Sequence, residues 1–186
     1  ALLVMLSAMI ECGHLKRGQE IVVPAIGWST SLFSVVQAGL VPVLVDVSPK
    51  NICLDGEFED PILAIHLLGA VSEARSPIIL EDACGAHGAI LGTKKVGSIG
   101  TCAAFSFFFS HHITTGEGGM VTTSDENILN ACRSYRAHGW IRERNDAQEI
   151  ADQYPNMDPR FLFATMGFNL RMSDIAAAIG IHQVDR

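Results

Sequence analysis

Positive charge is scarce in this sequence: 13 Lys and Arg stand against 20 Asp and Glu, for a formal charge of −7. That excludes a general nucleic-acid binder, which needs a basic face, and fits a cytoplasmic enzyme. Long apolar runs are missing too. The most hydrophobic stretch, ALLVMLSAMIE at the start, is too short to span a bilayer and has no basic flank, so it reads as neither anchor nor signal peptide. The five cysteines (Cys12, Cys53, Cys84, Cys102 and Cys132) form no CxxC pair and are odd in number. This is the usage of a reducing compartment with free thiols, not of a disulfide or zinc framework. No HExxH pattern occurs, and the adjacent pair His111 and His112 has no carboxylate at ligand spacing. A metal centre built with His66, His87 or His138 is therefore not the reading adopted.

What is present is a core. Hydrophobic residues make up 48% of the 186 residues, enough for one sizeable domain and too many for a disordered chain. Elements alternate. Helices are expected over Ala1–Cys12, Ser29–Ala38, Asp125–Tyr135 (capped by Ser124 or Asp125) and Ser173–Val184 (capped by Ser173). Strands are expected over Glu20–Pro24, Val41–Val47, Ile62–Leu68, Ile78–Glu81, Cys102–Phe109 and Met120–Thr123. Continuous apolar strands alternating with helices predict an α/β fold: a mostly parallel sheet with helices on both faces. Residues 139–163 are polar and read as an irregular, mobile loop over a site. Both ends read as cut within or beside helices, so the sequence is taken as part of a longer protein.

In such sheets ligands sit at the carboxyl ends of the strands, which directs attention to the polar residues ending each apolar run. Asp82 ends PIILED. Its carboxylate there either pairs with a protonated ring nitrogen or caps the next turn. Ser106 interrupts the aromatic run AAFSFFFS. Alternation puts it opposite Phe105 and Phe107, as a phosphate donor or as a core serine bonded to a carbonyl. After that strand come His111, His112 and the glycine-rich TTGEGG, which permits a tight turn and close backbone approach.

The ordered pieces EIVVPAIGWSTSLFSVVQAGLVPVLVDV, AIHLLG, IILEDACGAHGA, GTKKVGSIGTCAAFSF, TTGEGGMVTT, RAHGW and GFNLRMSDIAAAIG cover nearly the whole chain. Together they resemble the DegT/DnrJ/StrS family of nucleotide-sugar aminotransferases. The resemblance implies the large domain of a fold type I enzyme that uses pyridoxal 5'-phosphate (PLP) or pyridoxamine 5'-phosphate (PMP). An N-terminal segment and a C-terminal small domain of such an enzyme would lie outside this sequence. Residue by residue, it implies that Trp28 stacks on the cofactor ring, Asp82 pairs with its nitrogen and Ser106 binds its phosphate. Asn169 would reach the phosphate of a neighbouring subunit, which implies a homodimer. A core tryptophan and an ordinary loop amide are the competing roles for Trp28 and Asn169.

At the position where the family carries its cofactor-binding lysine, this sequence has His111. Together with FSFFFSHHITTGEGGM and RAHGW, this resembles the lysine-lacking GDP-4-keto-6-deoxymannose 3-dehydratase subgroup. A related subgroup of CDP-4-keto-6-deoxyglucose 3-dehydrases adds clustered cysteines for an iron–sulfur centre. No cysteine follows Cys132 here, so the iron-free subgroup fits better. Histidine cannot hold the cofactor covalently but can move protons near neutral pH. The resemblance therefore implies dehydration at C3 of a nucleotide-linked 4-keto sugar, with glutamate as amino donor. The competing readings are an ordinary sugar aminotransferase, for which Lys94 and Lys95 lie in the wrong segment, and a non-catalytic regulator on the same fold. Arg133, Arg136, Arg142 and Arg144 are candidates for holding a nucleotide diphosphate or simply a solvated face. Two departures stand out. Gly85 replaces a larger polar residue, and the segments Leu54–Ile62 and Gly69–Pro77 are short, the second too short for a helical crossover.

Overall fold

The structure is a computed structural model describing residues 1–184. Its β-branched runs pair into one six-stranded sheet of order β2-β1-β3-β4-β7-β8. The strands are β1 (Glu20–Pro24), β2 (Val41–Val45), β3 (Ile62–Ile65), β4 (Ile79–Asp82), β7 (Cys102–Ser106) and β8 (Gly119–Thr123). The first five run parallel, and β8 returns antiparallel to β7. A separate hairpin joins β5 (Ile90–Leu91) and β6 (Lys94–Lys95). The mostly parallel sheet is as expected, with strand ends two or three residues earlier at β2, β3 and β7. At β7 the chain leaves the ladder after Phe107, and a turn closes from the His111 N–H to the Phe108 carbonyl at 3.0 Å.

One face carries the helices α1 (Leu2–Glu11), α2 (Ser29–Gln37) and α3 (Glu126–Arg136). Met5, Leu6, Met9, Val35 and Ile128 from these helices meet Ile21, Val23, Leu63, Leu80 and Ala104 from the strands. Helix α1 is buried nearly all round because α2, α3 and the sheet surround it. Asp125 caps α3, accepting from the N–H groups of Asn127 and Ile128.

The opposite face corrects the expectation of helices on both sides. Residues 46–61 and 66–78, which join β2 to β3 and β3 to β4, contain no helix. They are short, and Pro49, Gly56, Pro61, Gly69 and Pro77 break them into pieces that cannot repeat a 3.6-residue period. The two coils lace each other. Ser72 Oγ donates to the Leu54 carbonyl at 2.7 Å, Asn51 Nδ2 to that of Val71 at 3.3 Å, and the Arg75 N–H to that of Gly56 at 2.8 Å. Beneath them Val22, Ile62 and Ala64 pack with Leu54 and Ala74. Further along the sheet, Ala103 and Phe105 pack under Ala83, Ala86 and Val96, next to the β5–β6 hairpin.

Residues 139–163 are more ordered than their polarity suggests. They hold α4 (Ala147–Asp152) and a 3-10 turn (Pro159–Phe161) around the buried trio Ile141, Ala151 and Leu162. This segment crosses the following one where Gly139, at φ +93°, passes against Gly167. A Cβ on Gly167 would sit 2.2 Å from the Gly139 nitrogen, so glycine is required there. Helix α5 (Asp174–Val184) follows, with Ser173 Oγ accepting from the Ala176 N–H at 3.2 Å, as the capping signal predicts. None of its residues is buried.

Candidate functional site

Three parallel strands deliver the predicted residues to one end of the sheet. Trp28 follows β1 and is the N-cap residue of α2; its ring is 76% exposed. Asp82 is the last residue of β4 and is buried. Its register partner on β7 is Ala104, two residues before Ser106, so the carboxylate and the hydroxyl leave neighbouring strands at the same edge. Ser31, one turn into α2, donates to Asp82 Oδ2 at 2.6 Å, which ties the Trp28 turn to the end of β4. Asp82 Oδ1 accepts from the Cys84 N–H at 3.2 Å. The turn-capping role is thus real, but it uses one acceptor position of a group that has about four. Burial, reinforced by Asp82 beside it, pushes the Cys84 thiol far above its usual value, so this cysteine is an inert thiol.

Ser106 Oγ accepts from the Phe108 N–H at 3.2 Å, which leaves its own proton free to donate. Beyond the strand, His111 packs against Phe108 with ring centroids 6.1 Å apart. Its Nδ1 is buried with no hydrogen-bond partner. His111 and His87 are 6.4 Å apart, centroid to centroid, and His87 packs against Phe105 of β7 at 5.3 Å. An exposed aromatic face, an aspartate with spare acceptor capacity, a free hydroxyl and an imidazole make a set suited to a flat cationic ring bearing an anionic group.

Asn169 stands apart from these four. It forms an isolated bridge with Ala137 and accepts from Arg171 at 3.0 Å. It lines a cavity of about 930 Å³ with Arg133, Arg136, Gly119 and residues of α5. Gly119 is the register partner of Ser106, so this cavity backs onto the strand pair that carries the site. Of the arginines considered for a diphosphate, Arg144 is occupied: its guanidinium grips both oxygens of Asp146 at 2.7 Å. Arg136 pairs with Glu143 and Arg133 with Asn145. Arg142 lines a separate pocket beside Trp140 and Arg160.

Two features were not foreseen. Glu81, fully buried, faces away from Asp82 and accepts from the N–H groups of Gly97, Ile99 and Gly100 at 2.8–2.9 Å. It also meets His66 Nε2 at 3.0 Å, while His66 Nδ1 accepts from the Ser72 N–H at 3.2 Å. That acceptance puts the His66 hydrogen on Nε2, pointing at Glu81. Burial opposes ionisation of Glu81, but the hydrogen bonds from His66, Gly100 and Gly97 outweigh it and hold the carboxyl below its usual value. The second is His87, packed among Phe105, Phe107, His111 and His112. Among the described residues, no group of three or more His, Cys, Asp or Glu is placed to hold a metal ion. At Gly85, a side chain would meet only ordinary contacts, the Leu68 nitrogen at 3.6 Å and the His66 carbonyl at 3.7 Å. Sterics therefore do not impose the glycine.

The DegT/DnrJ/EryC1/StrS aminotransferase family model matches residues 1–186. The chain belongs to that family. Among family relatives, a GDP-4-keto-6-deoxy-D-mannose 3-dehydratase of Yersinia pseudotuberculosis is 38% identical over 92% of this chain and 48% of its own length. A GDP-perosamine synthase of Caulobacter vibrioides is 37% identical over 96% of this chain and 48% of its own. A solved GDP-4-keto-6-deoxymannose-3-dehydratase with a trapped PLP–glutamate geminal diamine superposes at a TM-score of 0.85. It is 32% identical, over 99% of this chain and 53% of that one. The chain spans about half the length of the curated relatives it matches. Among the described residues, no helix is long and apolar enough to cross a membrane.

Proposed function

We infer that this family member is the cofactor-binding half of a 3-dehydratase acting on a nucleotide-linked 4-keto-6-deoxy hexose, with PLP/PMP as cofactor and glutamate as amino donor. The observation that carries the reading is His111: a histidine occupies the lysine position, and Lys94 and Lys95 are exposed on β6, in the hairpin. The donor set at the strand ends fits the cofactor. Trp28 offers a ring face, Asp82 a carboxylate for the ring nitrogen and Ser106 a free hydroxyl for the phosphate. When bound, the cofactor would supply an acidic methylene C–H and a ring that acts as electron sink for loss of the sugar 3-hydroxyl.

The chain's own residues do the rest. Asp82, shielded from water and already positioned by Ser31, keeps a positive ring nitrogen favoured over a neutral one. His111 takes one proton from that methylene and hands it to the departing 3-hydroxyl, a transfer that an imidazole is suited to make. It cannot displace the product by forming a covalent link itself, so water frees a keto sugar. The pathway class this fits is deoxysugar formation for lipopolysaccharide. Asn169, set apart from the other four within its own protomer, is the residue for a neighbouring subunit's phosphate site. The exposed Ile175, Ile179 and Ile181 of α5 leave apolar surface for such a homodimer.

The experiment uses full-length protein loaded with cofactor, glutamate and candidate 4-keto nucleotide sugars. Loss of the 3-hydroxyl with ammonia release is expected, and borohydride should leave the polypeptide mass unchanged. His111→Asn should retain cofactor yet lose turnover by roughly 10²–10⁴-fold. The similarity to a perosamine synthase favours an aminotransferase as the second reading. A stable 4-amino sugar with its 3-hydroxyl intact would establish that reading instead.

A further inference from the structure

A histidine used as a base works best when its second nitrogen is held, because that bond fixes the tautomer and the ring orientation. In most such sites a carboxylate or a carbonyl does this. Here His111 Nδ1 is buried and meets neither. The group beside it is another imidazole, His87. Its ring lies between Phe105 and Phe107 at centroid distances of 5.3 and 5.9 Å, and its remaining neighbours are His112 at 5.9 Å and His111 at 6.4 Å. Both nitrogens of His87 are also buried without partners.

Three unpartnered imidazole nitrogens in one aromatic pocket are an unusual arrangement, since buried polar atoms are nearly always satisfied. The cheapest resolution is mutual. At this centroid separation the rings are too far apart for a direct nitrogen-to-nitrogen hydrogen bond and close enough for a bent bridge through one water. We propose that His87 is a positioning residue for His111, the two rings acting as a coupled imidazole pair in which His87 sets the tautomer and orientation of the base. This rests on the reading of His111 as the acid/base group.

The electrostatics agree with the geometry. Burial first, then the neighbouring His112 and His111, lower the proton affinity of His87, which favours its neutral form as donor or acceptor. Those two histidines are the titratable groups that bear on it. The other packed elements present Phe105 and Phe107 to the ring.

The test has one arm that needs neither cofactor nor turnover. Full-length protein with nitrogen-15 labelled histidine would be titrated by NMR, as wild type, His87→Phe and His87→Gln. His87→Phe keeps the aromatic fill, while His87→Gln keeps a hydrogen-bonding group that does not titrate; circular dichroism checks that both fold. In wild type, the His87 and His111 ring nitrogens should respond together, with two shared midpoints about one pH unit or more apart. In His87→Phe, His111 should titrate in a single step with a more evenly mixed tautomer, and His87→Gln should restore the tautomer but not the second step. A His111 titration and tautomer unchanged in both folded variants would overturn the proposal. In turnover, kcat of His87→Phe should fall roughly 10- to 100-fold with KM unchanged and a displaced pH profile. A wild-type protein that shows the NMR coupling but dehydrates no keto sugar would sink the dehydratase reading and leave the pair standing.

Discussion

Glu81 and Asp82 are neighbours on one strand, and their side chains point to opposite faces of the sheet. Glu81 takes four hydrogen bonds, from three backbone N–H groups and His66, all on the coil-covered side. Asp82 takes two, from Ser31 and Cys84, and retains acceptor capacity at the end of the strand. The histidines repeat the contrast. His66 has both nitrogens engaged, whereas His111 and His87 have buried nitrogens with no partner. Identical chemical groups therefore divide by saturation. Those whose capacity is filled from within hold the fold, and under the proposed function those left incomplete are the ones that serve chemistry.

The sharpest way to break this division is to exchange the roles. Asp82→Asn in the full-length protein should reduce turnover by roughly 10²-fold or more, because an amide no longer favours a protonated ring. Its melting free energy should change by no more than about 1 kcal/mol. Glu81→Ala should do the reverse on stability. It strips the Gly97, Ile99 and Gly100 N–H groups and His66 of their acceptor, and denaturant unfolding should show a loss of about 3–5 kcal/mol. If Asp82→Asn destabilised more than Glu81→Ala, saturation would not separate the two roles.

Acid sharpens the same comparison. A carboxyl held below its ordinary value stabilises the fold above its unfolded-state pKa, and that contribution is lost as pH falls through the folded value. For Glu81 the stability should therefore be level near neutrality and decline once pH drops below about 4.5, the ordinary range of a glutamate. Urea midpoints measured against pH should show a shallower acid decline for Glu81→Gln than for wild type. The smallest expected effect lies far from both carboxylates. Asp125→Ala removes the cap of α3 and should cost about 1 kcal/mol while leaving the site untouched.

Much of this was legible in the sequence, for definite reasons. An apolar run ending in a polar residue placed Asp82 at a strand end, a hydroxyl amid aromatics singled out Ser106, the Ser173 cap placed α5, and Trp28 came from the family pieces. The family pieces identified His111 by position. The Glu81–His66 network was not legible, because its donors come from residues 66–72 and 97–100 and only the tertiary fold brings them together. His87 was weighed only as a possible metal ligand, since nothing local shows that its ring packs among Phe105, Phe107 and His111. The β5–β6 hairpin did leave a signal. Gly92, at φ +60°, opens the two-residue turn between Leu91 and Lys94, a Gly-X pattern that marks such hairpins. The helices expected on the second face failed for a different reason. Alternating strands imply a crossover, but only its length and breakers decide whether that crossover coils into a helix.

That second face has a consequence for the order in which the molecule assembles. A helical crossover closes its hydrogen bonds within its own segment and can form before the strand it leads to. Residues 46–61 and 66–78 cannot, because the partners of Ser72, Asn51 and Arg75 lie in the other coil, 18–20 residues away. Neither coil has a stable form without its counterpart, and their closure carries the loop entropy of bringing distant segments together. The helical face can thus nucleate locally, while the laced face is a late and all-or-none event. Its amides should gain protection together, after those of α1 and α3, during refolding.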